Sequence, residues 1–233
     1  MKPPANVAKP QALLFDLDGT LIDSLDDLVS AINLTLVQNQ LSPLSREVVS
    51  CFIGKGSRIL VEKALREILG HLPPSTIVDS IHRQYLQNML QTQGRYTRCF
   101  EGVHSVLSTL KAEGYLLALA TNKPRVNTLR LLEQLGLAEF FSVVVAGDDT
   151  PNPKPAPDIL IQAMQSLGIA PNNCIMVGDS MNDALAAQSA HTTCILLETG
   201  YNEGIKIGDW AKIHAPESLV FANIKDIVPF LTK

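Results

Sequence analysis

Apolar residues follow two different textures along this chain. Between Ser24 and Gln93 they recur at helical spacing. Leu25, Leu28, Val29, Ile32 and Leu36 form one stripe; Leu60, Val61, Ala64, Leu65, Ile68 and Leu69 form a second; Ile77, Val78, Ile81, Tyr85 and Met89 form a third. Ser24 is expected to cap the first helix, with Asp26 and Asp27 in its first turn. A short helix is expected from Ser45. Gly54-Lys55-Gly56 breaks the pattern, Ser57 is expected to cap the next helix, and Pro73-Pro74-Ser75 ends that helix and starts another. Residues 24–93 thus read as all-helical.

From residue 101 short apolar runs alternate with helical stretches. The runs are Tyr115–Ala120, Ser142–Ala146, Cys174–Val177 and Thr193–Leu197; the helical stretches are Gly102–Glu113, Pro124–Leu135, Ala156–Leu167 and Asn182–Ala190. A similar run, Gln11–Phe15, precedes the helical unit. Strands apolar on both sides between amphipathic helices predict a parallel sheet covered on both faces. Ser218–Leu231 is expected to be a helix packing back, and residues 1–10 a loose arm. The expected fold is therefore α/β, a Rossmann-like doubly wound parallel sheet of strand order 3-2-1-4-5 built from residues 1–22 and 100–233, with an all-helical cap domain at 23–99. An insertion after the first strand lies over the crevice where such sheets bind ligands, which makes it a candidate lid.

Composition narrows the function classes. The chain has 233 residues, 46% hydrophobic and 18% charged, enough for a full core. Its net charge is -4, with no basic stripe, so no nucleic-acid partner is expected. Met1–Pro10 lacks an apolar stretch and is not expected to act as a signal peptide. No apolar run approaches the ~20 residues of a membrane span. Cys51, Cys99, Cys174 and Cys194 are widely spaced, with no CxxC. Cys174 and Cys194 lie in strand-like runs and read as small core residues, so a cytoplasmic location is expected.

Candidate chemistry gathers at strand ends. In Asp16-Leu17-Asp18-Gly19-Thr20 two carboxylates two residues apart face one way in extended chain, and Gly19 lets the backbone turn at once. Paired buried carboxylates need a cation or partner. The pattern suggests a carboxylate nucleophile, a neighbouring acid/base and a divalent metal. An EF-hand loop is excluded, because Leu21 and Asp27 stand where its glycine and glutamate belong. Thr121-Asn122-Lys123-Pro124 offers an anion cradle or a capped helix start. Lys154, stiffened by flanking prolines, reads either as a phosphate or carboxylate partner or as a solvated lysine. Asp148 and Asp149 are extra ligands or turn residues, Asp149 the latter. Gly178-Asp179-Ser180-Met181-Asn182-Asp183 supplies two more acids; one would suffice as a helix cap, and hard oxygen donors at strand ends suit Mg2+.

Taken in order, Asp16-Leu17-Asp18-Gly19-Thr20, Thr121-Asn122, Lys154, and Gly178-Asp179-Ser180 with Asp183 resemble the four motifs of the haloacid dehalogenase-like hydrolase superfamily, across essentially the whole chain. The resemblance implies a phosphomonoester hydrolase in which Asp16 is the nucleophile and Asp18 the general acid/base. Gly19, Thr20, Thr121 and Asn122 would bind phosphate, and Lys154 would stabilise charge. It implies Mg2+ held by Asp16, the backbone carbonyl of Asp18, and Asp179, with Asp183 in support. Dehalogenase members typically lack an acid two residues after the nucleophile. Asp23-Ser24, Gly54-Lys55-Gly56, Thr121-Asn122-Lys123-Pro124 and Gly200-Tyr201-Asn202 are similar to the phosphoglycolate phosphatase branch. That branch implies a small phosphorylated metabolite, 2-phosphoglycolate foremost, whose carboxylate Lys55 and Arg58 would meet, in a protein with no membrane partner that is a monomer or weak homodimer. One departure is His191, where the family usually has glycine. A phosphomutase of the β-phosphoglucomutase type is the rival enzyme; those usually carry a histidine soon after the first motif, and none lies between Asp23 and Gln40. A non-enzymatic phospho-aspartate switch is the other alternative.

Overall fold

The computed structural model describes residues 10–232. In chain order its elements are β1 (Ala12–Phe15), β2 (Ile22–Asp23), α1 (Leu25–Gln38), α2 (Arg46–Ser50), α3 (Ser57–Leu69), α4 (Ser75–Thr92), β3 (Arg98–Cys99), α5 (Val103–Ala112), β4 (Leu116–Ala120), α6 (Arg125–Gln134), β5 (Val143–Val145), α7 (Asp158–Leu167), β6 (Cys174–Gly178), α8 (Met181–Ser189), β7 (Thr193–Leu197), α9 (Ile207–His214), β8 (Leu219–Phe221) and α10 (Val228–Leu231).

Six strands form one parallel sheet in the order β5-β4-β1-β6-β7-β8. Counting only these strands along the chain, the order is the expected 3-2-1-4-5 with a sixth strand added at the edge. Alternation puts Leu13, Phe15, Leu117, Leu119 and Val177 on one face, packed under α5, α6 and α10. Leu14, Ala118, Ala120, Met176 and Leu196 face the other way, against α7, α8 and α9. Both faces of β1 are thus buried, which is why its four residues are uniformly apolar. The strand order reverses direction at β1, so the crevice beyond its carboxyl end is the sheet's switch point.

Helices α1 to α4 pack around their own cluster, centred on Ile32, Leu36, Val61, Leu65, Tyr85 and Met89. The chain leaves the sheet for these helices through β2 and returns through β3. The two pair antiparallel, Ile22 opposite Cys99 and Asp23 opposite Arg98, a ribbon too short for periodicity to reveal. Asp27 braces the return: its buried carboxylate accepts hydrogen bonds from the backbone N–H groups of Gly94, Tyr96 and Thr97 and from the Thr97 hydroxyl.

Several local expectations are corrected. Ser218–Leu231 is not one helix: Leu219-Val220-Phe221 extends the sheet beside β7, and Asn223 caps a separate 3-10 turn through a reciprocal bond with Asp226. Its aromatic and β-branched residues suit a half-buried edge strand. Helix α9 was not foreseen. Gly56, with φ at 87°, caps α3 in place of Ser57, whose hydroxyl instead contacts His82 Nε2 at 2.9 Å. Ile77 is exposed, because Val78, Ile81 and Tyr85 take the inward positions of α4. The expected loose arm lies, apart from Pro10, outside the described residues. Among the described residues no helix is long and apolar enough to cross a membrane.

Candidate active site

The site grows from the end of β1. Asp16 still donates its N–H to Val177 of β6 at 2.9 Å, so its side chain is held by the sheet ladder. Leu17 is fully buried, and the backbone then folds back: Leu21 and Ile22 both donate to the Leu17 carbonyl. Gly19 occupies a positive φ of 90°, and any Cβ there would collide with the Asp179 carboxylate. Gly200 crowds the same carboxylate from the opposite loop. Asp179 is thus walled between two glycines, with Thr20 Oγ1 donating to its Oδ1 at 2.7 Å and the Tyr201 N–H to its Oδ2 at 3.0 Å. The Thr20 hydroxyl, expected at phosphate, is used to orient Asp179.

Asp16, Asp179 and Asp183 each present an oxygen within 4.8 Å of the others, and all three are buried. Lys154, 1% exposed, reaches them from the loop after β5. Its Nζ donates to Asp183 Oδ1 at 2.6 Å and to the Ala120 carbonyl at 2.8 Å, and stands 3.1 Å from Asp16 Oδ1. The last contact is an ion pair without hydrogen-bond geometry, so Asp16 Oδ1 is a buried acceptor lacking a hydrogen bond. Burial raises the Asp16 pKa to about 6, against the pull of Lys154. Burial, Asp183 and Asp16 raise that of Asp179 well above its ordinary value of 3.8. Burial alone would lower the Lys154 ammonium's pKa; the Asp16 and Asp183 charges outweigh it, and the lysine stays charged.

One ammonium against three carboxylates leaves two negative charges uncompensated when all are ionised. The residues therefore fit a divalent cation: oxygen donors only, an orphaned Asp16 oxygen, and carboxyl groups whose like-charge repulsion a cation relieves. Asp183 is less available than its partners. Its Oδ2 already accepts from the N–H groups of Asp179 and Ser180 and from the Ser180 hydroxyl. That geometry anchors both Asp179 and the start of α8.

Asp18 faces the cavity beside Asp16, but its carboxylate is engaged elsewhere. Lys123 Nζ donates to both Asp18 oxygens at 3.0 Å, and the Ser24 hydroxyl donates to Oδ1. Ser24, the expected helix cap, makes no side-chain cap bond for α1. Asp16, Asp18, Thr121, Asn122 and Lys123 line a single small cavity of about 40 Å³. Asn122 Nδ2 donates to the carbonyls of Lys154 and Gly54, and Oδ1 accepts from the Lys154 N–H. The amide side chain thus ties the Lys154 loop, and the turn before α3, to the end of β4.

The two cations expected to meet a substrate carboxylate, Lys55 and Arg58, fall outside this cavity. Lys55 pairs with Glu203 at 2.8 Å, and Arg58 with Asp79 and Glu62. Neither lines it. Asp148 and Asp149 serve the turn before α6: Asp148 accepts from the Arg125 N–H, and Asp149 from the Ala146 N–H and the Arg125 guanidinium. Lys123, Ser24 and Tyr201 were missed as site residues. Each sits in a stretch the sequence had already marked; Lys123 meets Asp18 across 105 residues and Tyr201 meets Asp179 across 22, while Ser24 lies only 6 residues from Asp18. Asn182, counted beside the acids, has a buried amide with neither atom bonded among the described residues, close to Gly54.

Known proteins resemble this chain in sequence and in fold. A family model for haloacid dehalogenase-like hydrolases matches residues 13–197. The chain is 39% identical to a phosphoglycolate phosphatase of Psychrobacter arcticus over 227 residues, 96% of each chain. It is 34% identical to the phosphoglycolate phosphatase of Escherichia coli K12 over 237 aligned positions, 95% of this chain and 92% of that one. The crystal structure of a predicted phosphoglycolate phosphatase from Haemophilus somnus 129pt superposes with a TM-score of 0.88 at 30% identity, covering 98% of this chain and all of that one. Matched over most of its length by the family and along nearly all of it by such relatives, the chain belongs to the haloacid dehalogenase-like hydrolases, as a phosphoglycolate phosphatase-like enzyme of that family.

Proposed function

We propose that this chain is a Mg2+-dependent phosphomonoester hydrolase that forms an aspartyl-phosphate on Asp16, with 2-phosphoglycolate as its foremost substrate. The observation that carries this reading is the convergence of Asp16, Asp18, Thr121 and Asn122 on one cavity, with Lys154 against Asp16. Asp16 attacks phosphorus while the ester P–O bond breaks and Asp18 gives a proton to the leaving oxygen. Asp18, now ionised, takes a proton from water; that water attacks phosphorus, the bond to Asp16 breaks, and phosphate leaves. Thr121 and the amides after it bind phosphoryl oxygens, and Lys154 keeps Asp16 ionised and in place. Asp16, the Asp18 carbonyl and Asp179 would hold Mg2+, with Asp183 behind them; the ion supplies charge neutralisation on the phosphoryl group.

In this reading residues 23–99 form a cap domain over the core of residues 1–22 and 100–233. The small cavity and the absence of histidine soon after β1 favour a short substrate and hydrolysis over sugar-phosphate isomerisation. Four free cysteines agree with a reducing cytoplasm, where the enzyme acts as a monomer or weak homodimer without nucleic-acid or membrane partners. Phosphate release from a panel of small phosphate esters tests the reading. Turnover is expected with Mg2+, not with chelator, and is expected to vanish in Asp16→Asn. Hydrolysis at the wild-type rate by that variant would overturn it.

A further inference from the structure

The cavity that opens from Asp16 has an unequal lining. On the side of the helical unit Leu28, Ile53, Leu60 and Met89 make it apolar. Ser57, a polar member of that wall, already contacts His82; two further groups matter, Lys123 just after β4 and Tyr85 in the wall itself. Lys123, 6% exposed overall, is the one cationic side chain among its lining residues. Tyr85, from α4, is fully buried, yet its hydroxyl has no hydrogen-bond partner among the described residues. A phenol buried with an unused donor lowers stability. Phenylalanine would fill the same space without that penalty, so the hydroxyl itself calls for a ligand.

We propose that Lys123 Nζ and Tyr85 Oη together seat the second anionic group of the substrate, a carboxylate one or two carbons from the phosphate ester. This rests on the phosphatase reading of the site and deepens it, moving acid recognition from Lys55 and Arg58 to these two residues. The space beside Asp16 is small, about 40 Å³, which favours a short substrate, and a compact carboxylate meets a cation and a hydroxyl there. Lys123 then trades part of its pairing with Asp18 for the ligand. Tyr85 contributes a donor from the helical unit, so an acid of the right length bridges that unit to the sheet.

The test compares kcat/KM for 2-phosphoglycolate with that for ethyl phosphate, which has the same carbon chain without the carboxylate. Tyr85→Phe and Lys123→Met are each expected to lower this ratio by roughly 10- to 100-fold, the range of one hydrogen bond to a charged group. Tyr85→Phe is also expected to melt no lower than wild type, which separates loss of a ligand contact from loss of packing. Wild-type enzyme, which needs no variant to fold, is expected to be inhibited more strongly by phosphonoacetate than by methylphosphonate. An unchanged ratio in folded Tyr85→Phe, equal inhibition by the two phosphonates, or a ratio that collapses in Arg58→Met or Lys55→Met instead would overturn the inference while leaving the phosphatase reading intact. Absence of Mg2+-dependent hydrolysis of both esters would overturn both.

Discussion

Lys154 lies between Asp16 and Asp183 with almost none of its side chain exposed, so its charge is bound into the acidic centre. Removing one partner from a buried charge group costs about 3–5 kcal/mol, because the remaining charges lose their compensation. Lys154→Met should lose stability on that scale in urea unfolding with chelator present. At the other end of α8, His191 holds a left-handed φ of 56°, the conformation that glycine adopts freely. His191→Gly should therefore raise the unfolding midpoint, relieving roughly 1 kcal/mol of backbone strain. Gly200→Ala should act in the opposite sense, since its Cβ has no room beside Asp179; weaker Mg2+ binding in a titration is the expected result. Asp16 and Asp18 were legible because strand-end carboxylates two residues apart must share a face, whereas Lys154 alone also read as a solvated lysine and was singled out by its resemblance to the family's third motif. The tasks of Thr20, Asn122 and Lys123 were not legible, because a hydroxyl, an amide and an amine carry no mark of which distant group they will meet.

At the scale of elements, the helical stripes and the two-sided apolar strands were readable from period alone. Thr193–Leu197 is a strand with the expected bounds, and the helix expected at Gly102–Glu113 runs from Val103 to Ala112. The misses share a cause. β2 and β3 have two residues each and β8 three, too few for alternation to register, and their pairing comes from segments brought alongside by the rest of the fold. Asp27 illustrates the dependence: read as a first-turn acid of α1, it satisfies three backbone donors about 70 residues onward. Asp27→Ala would leave the buried Thr97 donors unpaired, at about 1–3 kcal/mol, while the part-buried Gly94 and Tyr96 donors turn to water. A loss of about that size in denaturant unfolding is expected, most of it remaining in Asp27→Leu, which restores apolar bulk but no acceptor.

Across the whole molecule, the acidic centre couples folding to protons and, in the proposed reading, to metal. Burial raises the pKa of Asp16 from 3.8 to about 6, and Asp179 moves in the same direction. In that window the metal-free folded protein holds protons that the unfolded chain has released. Their contribution to stability is complete below 3.8 and is lost as pH rises through about 6. A divalent ion must displace those protons to bind. The stabilisation on adding Mg2+, read as a rise in melting temperature, should accordingly be small well below pH 6 and large well above it, where it is worth about 2.7 kcal/mol when the ion is at a hundred times its Kd. A shift that does not depend on pH would count against this site.

The sequence by itself determined the doubly wound sheet, the helical insertion after the first strand, and the four strand ends where the chemistry gathers. Each follows from local rules, the period of apolar residues and the direction of side chains in extended chain. Only the tertiary structure decided that Lys55 and Arg58 pair away from the cavity, that Asp183 accepts from the start of α8 while Thr20 and Tyr201 hold Asp179, and that Lys123 and Tyr85 line the same cavity as Asp16. Those outcomes depend on which side chains meet after the helical unit packs back onto the sheet. Charge and hydrogen-bond pairing across such distances is settled by geometry that no local pattern encodes.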